Sequence, residues 1–439
     1  MADHKDLLAS LRMNHAKLRT TPIKAPTQMA GTRIAATDFT TLPGYRAVML
    51  ARAAADTLRL PSPFFREIEA VDGTRVRIAG NWAVNFASYD YLSFNRTPEI
   101  AAEVTQAVNA YGVSATASRL VGGNHGLHMV LEEELSRFLG TEDTLVFVSG
   151  HATNQAALRT LLGPKDLVAV DALAHNSIFE GIRTSGAQHI TFAHNDWQAL
   201  DRRLDELRGN YDRVLIVIEG LYSMDGDAPD LSAFVALKYK HHTWLMVDEA
   251  HSIGVLGKTG RGISEAAGID IGEIDLVMGT LSKSLCSAGG FIAGSRVVTD
   301  LLRYHAPGFV YSVGLSIPNT AAALTALRAM RKAPERVAAL NGLGTYFVKK
   351  AQGLELDCGN AMGTAIVPII IGDSLRAVWI SAQLLDAGYN VLPIIAPAVP
   401  ERSARLRFFL NADHTQSQID DVLQCTAELV AQARSLTFS

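Results

Sequence analysis

Two short stretches carry residue types that could activate a small molecule: Trp244-Leu-Met-Val-Asp-Glu-Ala-His-Ser252 and Leu276-Val-Met-Gly-Thr-Leu-Ser-Lys-Ser284. Each opens on a short apolar run that reads as a buried strand. Each then turns polar at its C-terminal end, where open α/β sheets keep their ligand chemistry. The first delivers Asp248 and His251, the second Thr280, Ser282 and Lys283. An amine, a carboxylate and hydroxyls on neighbouring strand ends suit a cofactor with an aldehyde, a basic ring nitrogen and a phosphate. Lys283 would condense with the aldehyde, Asp248 would keep the ring nitrogen protonated, and the hydroxyls would meet the phosphate. Pyridoxal phosphate is a cofactor of this kind. Asp-Glu-Ala-His also spells a helicase motif, which needs an upstream phosphate loop. The one Gly-Lys-Thr, at residues 257–259, lies downstream, with Ser252 where the loop's first glycine should be.

These residues need a scaffold, and the pattern supplies one. From about residue 141 strands and helices alternate: strands at 144–148, 167–170, 188–192, 213–218, 244–248, 276–278 and 291–293, separated mostly by helical stretches. Arg213-Val-Leu-Ile-Val-Ile218 is almost wholly apolar, as in parallel sheets covered on both faces. The alternation predicts a doubly wound, mostly parallel sheet. Polar residues gather past five strand ends: Ser149–Asn154, Asp171–His175, Glu219, Asp248–His251 and Thr280–Lys283. Ser149-Gly-His-Ala-Thr-Asn154 reads as a turn before a helix at 155–162, and such a helix start attracts anions.

Upstream, Thr74–Ile78 and Ala83–Phe86 around Gly80-Asn-Trp82 predict a hairpin. Residues 97–111, and a run from His128 through Leu139, read as helices; a glycine- and serine-rich loop joins them. Downstream, residues 308–314 are turn-rich and a long helix is expected over about 316–332. Strands are expected at 365–371, 390–392 and 405–410, with helices near 335–350, 375–387 and 416–435. Leu7, Leu8, Leu11 and Leu18 predict an amphipathic helix near 4–19. The expected organisation is an N-terminal helical arm (1–60), a hairpin segment joining the small domain (61–100), a large cofactor-binding domain (101–330) and a smaller C-terminal α/β domain (331–439).

Of 439 residues, 48% are hydrophobic and 19% charged, which excludes a disordered chain. A net charge of −4 gives no basic stripe for nucleic acid. Three scattered cysteines, Cys286, Cys358 and Cys425, form neither a disulfide framework nor a metal motif and point to a reducing cytoplasm. His125-x-x-His128 has no accompanying ligands, so no metal is expected. No leader peptide or membrane span is read, and membrane contact is at most peripheral.

Over about residues 62–435 the chain resembles the α-oxoamine synthases, fold-type I pyridoxal phosphate enzymes that include serine palmitoyltransferase, aminooxononanoate synthase and aminoketobutyrate ligase. The resemblance is carried by Tyr91-Leu92, Ser118-Arg119, His128-x-x-Leu-Glu132, Ser149-Gly150 with Asn154, Asp171 with His175-x-Ser177, Tyr222-Ser-Met-Asp-Gly-Asp227, Asp248-Glu-Ala-His-Ser252, Gly260-Arg-Gly262, Gly279-Thr-Leu-Ser-Lys283 and Leu406-Arg407. It implies that Lys283 holds the cofactor and later moves the Cα proton. It further implies that Asp248 pairs with the ring nitrogen, His175 stacks on the ring and His251 contacts the ring hydroxyl. Ser149, Gly150, Thr280 and Ser282 become phosphate-binding candidates, with His151 near the cofactor. Arg407 would take the amino acid's carboxylate, and Asp90 and Ser118 would lie near the substrates. Tyr311-Ser312 would reach a neighbouring subunit's cofactor in a homodimer. The implied reaction is a decarboxylating condensation of serine, alanine or glycine with a long-chain acyl thioester; the alternatives are an aminotransferase or lyase on the same fold and a non-catalytic partner subunit, whose mark would be loss of the lysine. Ser149–Asn154 and Ala306–Ser312 look most like synthases of acyl-carrier systems, which adds an acyl-carrier protein beside acyl-CoA as the donor. Asp90-Tyr-Leu-Ser93 departs from the Asn-Tyr-Leu-Gly of many members.

Overall fold

The computed structural model of the chain describes residues 38–57 and 62–436. The helix expected near 4–19 lies outside them. Two units divide the chain: Pro63–Val430, and the residues before Pro63 together with Ala431–Ser439. In the latter, Asp38 caps a short 3-10 turn by accepting from the Thr40 N–H, and a helix, Pro43–Thr57, follows.

In the large unit the hairpin forms from β1 (Ala70–Asp72), β2 (Arg75–Ile78) and β3 (Asn81–Asn85). A seven-stranded sheet is then built from β4 (Asp143–Phe147), β5 (Leu167–Asp171), β6 (Gln188–Phe192), β7 (Val214–Glu219), β8 (Trp244–Asp248), β9 (Leu276–Thr280) and β10 (Gly290–Gly294), in the order β4-β10-β9-β8-β7-β5-β6. β5 to β9 all pair in parallel, and β10 runs antiparallel between β4 and β9. All six residues of β7 are buried, which explains its apolar sequence.

Helices Gly150–Leu161 and Asn176–Ser185 pack on one another, and Leu158, Ile178 and Ile182 join Val168, Val170 and Met246 in the core. The sequence reading places residues 150–154 in a turn; they are the helix's first turn, because Ser149 caps it by accepting from the Ala152 N–H at 3.1 Å. The stretch before residue 308 adds a helix not expected from the sequence, Arg296–His305, and Pro307–Val310 is a further helical turn.

The register of β10 matters most for the site. Gly290 faces both Phe147 and Thr280, so the ends of β4 and β9 meet across it. A Cβ on Gly290 would lie 2.6 Å from the Gly150 Cα. Only glycine lets the two strand ends and the helix start come this close.

Two smaller sheets complete the unit. β11 (Ile366–Gly372), β12 (Tyr389–Asn390), β13 (Leu392–Ile394) and β14 (Ala404–Phe409) are divided between them. β12 adds in parallel to β3, giving β1-β2-β3-β12, while β11-β14-β13 is antiparallel. The single strand expected at 390–392 is therefore two. Val391, fully buried, is the hinge between sheets that claim its two neighbours. Among the described residues no helix is long and apolar enough to cross a membrane.

Candidate active site

Parallel register sets Glu219 of β7 beside Asp248 of β8. Asp248 is buried, and both its oxygens are held: one accepts from the Ala250 N–H at 3.0 Å, the other from Asn154 Nδ2 at 2.9 Å. Asn154 also donates to Ser177 Oγ at 2.9 Å. That hydroxyl lies 2.7 Å from His175 Nδ1, which also accepts from the Ser177 N–H at 3.3 Å. His175 is thus the N-cap of its helix, with Nδ1 engaged and its ring held by the same network as Asp248. Burial lowers the His175 pKa, so the ring is neutral at neutral pH. His151 stands edge-on to it, 6.5 Å between ring centres.

Lys283 follows β9. Its ammonium has no hydrogen bond or ion pair among the described residues; the ring of Tyr89 lies 5.8 Å from Nζ. Desolvation pulls the amine down to about 8, against the partial support of Asp248 and Glu219. Glu219, buried next to the same cluster, is raised well above the usual carboxylate range by burial and then by Asp248. His251 lies with Nδ1 2.8 Å from the Tyr91 hydroxyl, and burial followed by Lys283 keeps it neutral.

Thr280 Oγ1 is 2.8 Å from Ser282 Oγ, and it would lie 3.0 Å from a Cβ on Gly150. Ser149 caps through its side chain, so the N–H groups of Gly150 and His151 carry no bond among the described residues. Two N–H groups at a helix start beside two hydroxyls make an anion cradle. The residues present fit pyridoxal phosphate. A desolvated, unpartnered amine suits the aldehyde, a buried and doubly anchored carboxylate suits the ring nitrogen, and the Gly150 cradle suits the phosphate.

Arg407 rises from β14. Its Nη1 donates to Ser223 O at 3.0 Å, its guanidinium lies 4.6 Å above the Phe409 ring, and its buried Nε has no partner among the described residues. A planar cation with an unmet donor suits a carboxylate ligand. A cleft of about 930 Å³ opens on this region, lined by Tyr89, Asp90, Ser282, Lys283 and Cys286 among others.

The structure therefore brings Ser149, Gly150, His151, Asn154, His175, Asp248, His251, Thr280, Ser282 and Lys283 to neighbouring loops, with Arg407 facing the Ser223 turn. Asp90 lines the cleft, but its carboxylate is committed to a turn, accepting from the N–H groups of Phe94 and Asn95 and from the Cys286 thiol. Ser118 Oγ donates to the Val310 carbonyl at 2.7 Å, and Ser312 Oγ donates to the Val313 carbonyl. His128 is spent on the Leu315 carbonyl at 2.7 Å. Sequence reasoning passes over Tyr89, whose ring lies 5.8 Å from Lys283 Nζ and packs edge-on against Phe409 and His251. An aromatic in the polar stretch after the hairpin is its one signal.

The aminotransferase class I and II family model matches residues 82–425. The chain is 39% identical over 366 residues to the 8-amino-7-oxononanoate synthase of Geobacter sulfurreducens, covering 83% of this chain and 93% of that protein. It is 35% identical over 363 residues to the serine palmitoyltransferase of Bacteroides thetaiotaomicron, covering 82% of this chain and 91% of that one. Among solved structures, the serine palmitoyltransferase of Sphingomonas wittichii superposes with a TM-score of 0.86 at 29% identity, covering 91% of this chain and all of that one. A structure of SPT with a PLP internal aldimine superposes with the same TM-score at 30% identity and the same coverage. These matches and the seven-stranded, mostly parallel sheet agree, and the chain belongs to the aminotransferase class I and II family and, within it, to the α-oxoamine synthases on the fold-type I scaffold.

Proposed function

We propose that the protein is a pyridoxal phosphate enzyme that condenses serine, alanine or glycine with a long-chain acyl thioester, releasing carbon dioxide and free thiol and leaving an α-amino ketone. The observation that carries this reading is the desolvated, unpartnered Lys283 beside Asp248, with Arg407 over the Phe409 ring that packs against Tyr89. Pyridoxal phosphate, when bound, supplies an aldehyde for amines and a ring that takes up the charge left on Cα. Lys283 holds the cofactor and, once released, accepts and returns the Cα proton at Nζ. An amine with a pKa near 8 is neutral often enough at neutral pH to do so. Asp248 keeps a proton on the ring nitrogen, and the neutral ring of His175 offers it an apolar face. His251, with Tyr91 on Nδ1, meets the ring hydroxyl. Arg407 orients the amino acid through its carboxylate until that group leaves.

The cleft beside Lys283 supports entry of an extended acyl chain there, carried by CoA or by an acyl-carrier protein. Exposed Val121, Tyr311 and Val313 support a homodimer, and three free cysteines support a reducing, cytoplasmic setting. The test is release of thiol and carbon dioxide when holoenzyme receives each amino acid with an acyl-CoA or the matching acyl-carrier protein. Coupled release with one amino acid bears the reading out. Amino-acid-dependent changes in cofactor absorbance with no thiol release would overturn it in favour of a transaminating or lyase activity.

A further inference from the structure

Behind the Asp248 cluster lies a charged group that the chemistry above does not use. His194, in the loop after β6, stands between two carboxylates. Its Nδ1 is 3.0 Å from Asp171 Oδ1 and its Nε2 is 2.9 Å from Asp227 Oδ2. Carboxylate oxygens only accept, so both ring nitrogens carry hydrogen and the ring is an imidazolium. Asn195 completes the bridge, its backbone N–H donating to Asp171 Oδ2 at 2.8 Å and its amide to Asp227 Oδ2 at 3.1 Å. It does so from a left-handed backbone, φ 57°, which asparagine tolerates better than most residues. The edge of the imidazolium meets the Tyr222 ring at 4.4 Å.

The two carboxylates belong to different parts of the site. Asp171 ends β5 and shapes the turn into His175, accepting from the Leu173 N–H at 2.8 Å while its carbonyl accepts from Ala174. Asp227 closes the Tyr222–Asp227 turn, its carbonyl accepting from the Tyr222 N–H at 2.9 Å. That turn presents Ser223 O to Arg407, and Met224 O and Asp225 to Arg405. One cation therefore joins the turn that carries His175 to the turn that seats Arg407.

We propose that His194 is a positioning residue whose doubly bonded imidazolium clamps the His175 turn to the Ser223–Asp225 turn, setting where Arg407 holds the amino acid relative to the cofactor ring. The proposal rests on the roles given above to His175 and Arg407. Without the cation, Asp171 and Asp227, both buried, face each other uncompensated and the turns separate. Burial alone would lower the His194 pKa, but the bonds to Asp171 and Asp227 outweigh it and raise it to about 10, so the clamp stays closed at neutral pH.

The experiment uses His194→Gln as holoenzyme. We expect the amino-acid KM to rise roughly tenfold or more, as for loss of a charge-assisted bond, with the thioester KM unchanged and the bound cofactor's circular dichroism altered at full occupancy. The double variant His194→Gln, Asp227→Asn removes one of the facing carboxylates and is expected to recover most of that KM. A wild-type amino-acid KM in His194→Gln, or a loss confined to the fraction of enzyme holding cofactor, would overturn the proposal; so would a double variant worse than the single. Where His194→Gln fails to fold, Asp227→Ala alone removes the acceptor of one arm of the clamp, and an unchanged amino-acid KM there also overturns it. Spectral titration of the bound cofactor with amino acid reads this affinity even if no thioester is ever consumed, so failure of the clamp and failure of the condensation are separable.

Discussion

Two charged clusters sit at the strand ends of one sheet and are built in opposite ways. Around His194 the charges face a counter-charge: two carboxylates meet one imidazolium, and Asn195 donates to Asp171 Oδ2 and Asp227 Oδ2, leaving Asp227 Oδ1 without a partner among the described residues. Around Lys283 the groups are held but not answered. Asp248 is anchored by neutral donors, and among the described residues the amine has no ion pair, Arg407 Nε no acceptor and the Gly150 N–H no bond. Burial thus ends in opposite results, a histidine raised to about 10 and a lysine lowered to about 8. Buried polar groups that satisfy each other hold a fold. Buried cations left without a counter-charge mark the place of a ligand.

The comparison breaks most sharply at Lys283. Lys283→Ala should cut turnover by about 10³-fold or more, the range for loss of a positioned acid–base group; near wild-type turnover would refute its role. Arg407→Lys keeps the charge but loses the planar fork. The amino-acid KM should rise about 10- to 100-fold with the thioester KM little changed, as steady-state kinetics on both substrates would show. The free amine of Lys283 condenses only when neutral. Cofactor uptake by the apo-protein should therefore slow about tenfold for each pH unit below the value near 8 and level off above it, as stopped-flow absorbance would read.

Stability should divide the clusters the other way. His194 has a raised pKa, so its contribution is complete below the ordinary 6.5 and is lost as the pH rises through about 10. The gap in thermal stability between the wild type and His194→Gln should therefore narrow between those values; a gap constant with pH would mean that the imidazolium charge is not what stabilises. The smallest effect has the opposite sign. Lys283→Met removes an unpaired, desolvated cation at similar volume, and should raise the apo-protein's Tm by about 1–2 °C while abolishing turnover.

Much of this was legible in the chain. The apolar run ending in Asp248, and the run before Thr280 and Lys283, show the strands and the polar residues just past them without reference to anything distant. Only the resemblance singles out Arg407: in Arg405-Leu-Arg-Phe-Phe-Leu410 no pattern distinguishes it from Arg405, which is buried against Asp225. The first turn of the 150–161 helix is hidden in the sequence because Ser149-Gly-His has the composition of a loop and only the cap reveals the helix. The pair β12 and β13 reads as one strand in the sequence because a single buried valine carries the change of sheet. Asp90, Ser118 and Ser312 are polar residues in suggestive stretches whose hydroxyls and carboxylate turn out to be engaged with nearby backbone and a thiol.

By itself the sequence determined the parallel α/β class, the strand ends that carry polar residues and the lysine–carboxylate pair, because periodicity and turn chemistry are local properties. Tertiary structure alone decided three things: that Gly290 brings the ends of β4 and β9 together, that Asn154 links Asp248 to His175 through Ser177, and that His194 joins two loops. Each depends on register and burial between segments far apart in the chain, where the partner of a polar group is set by which strands lie side by side.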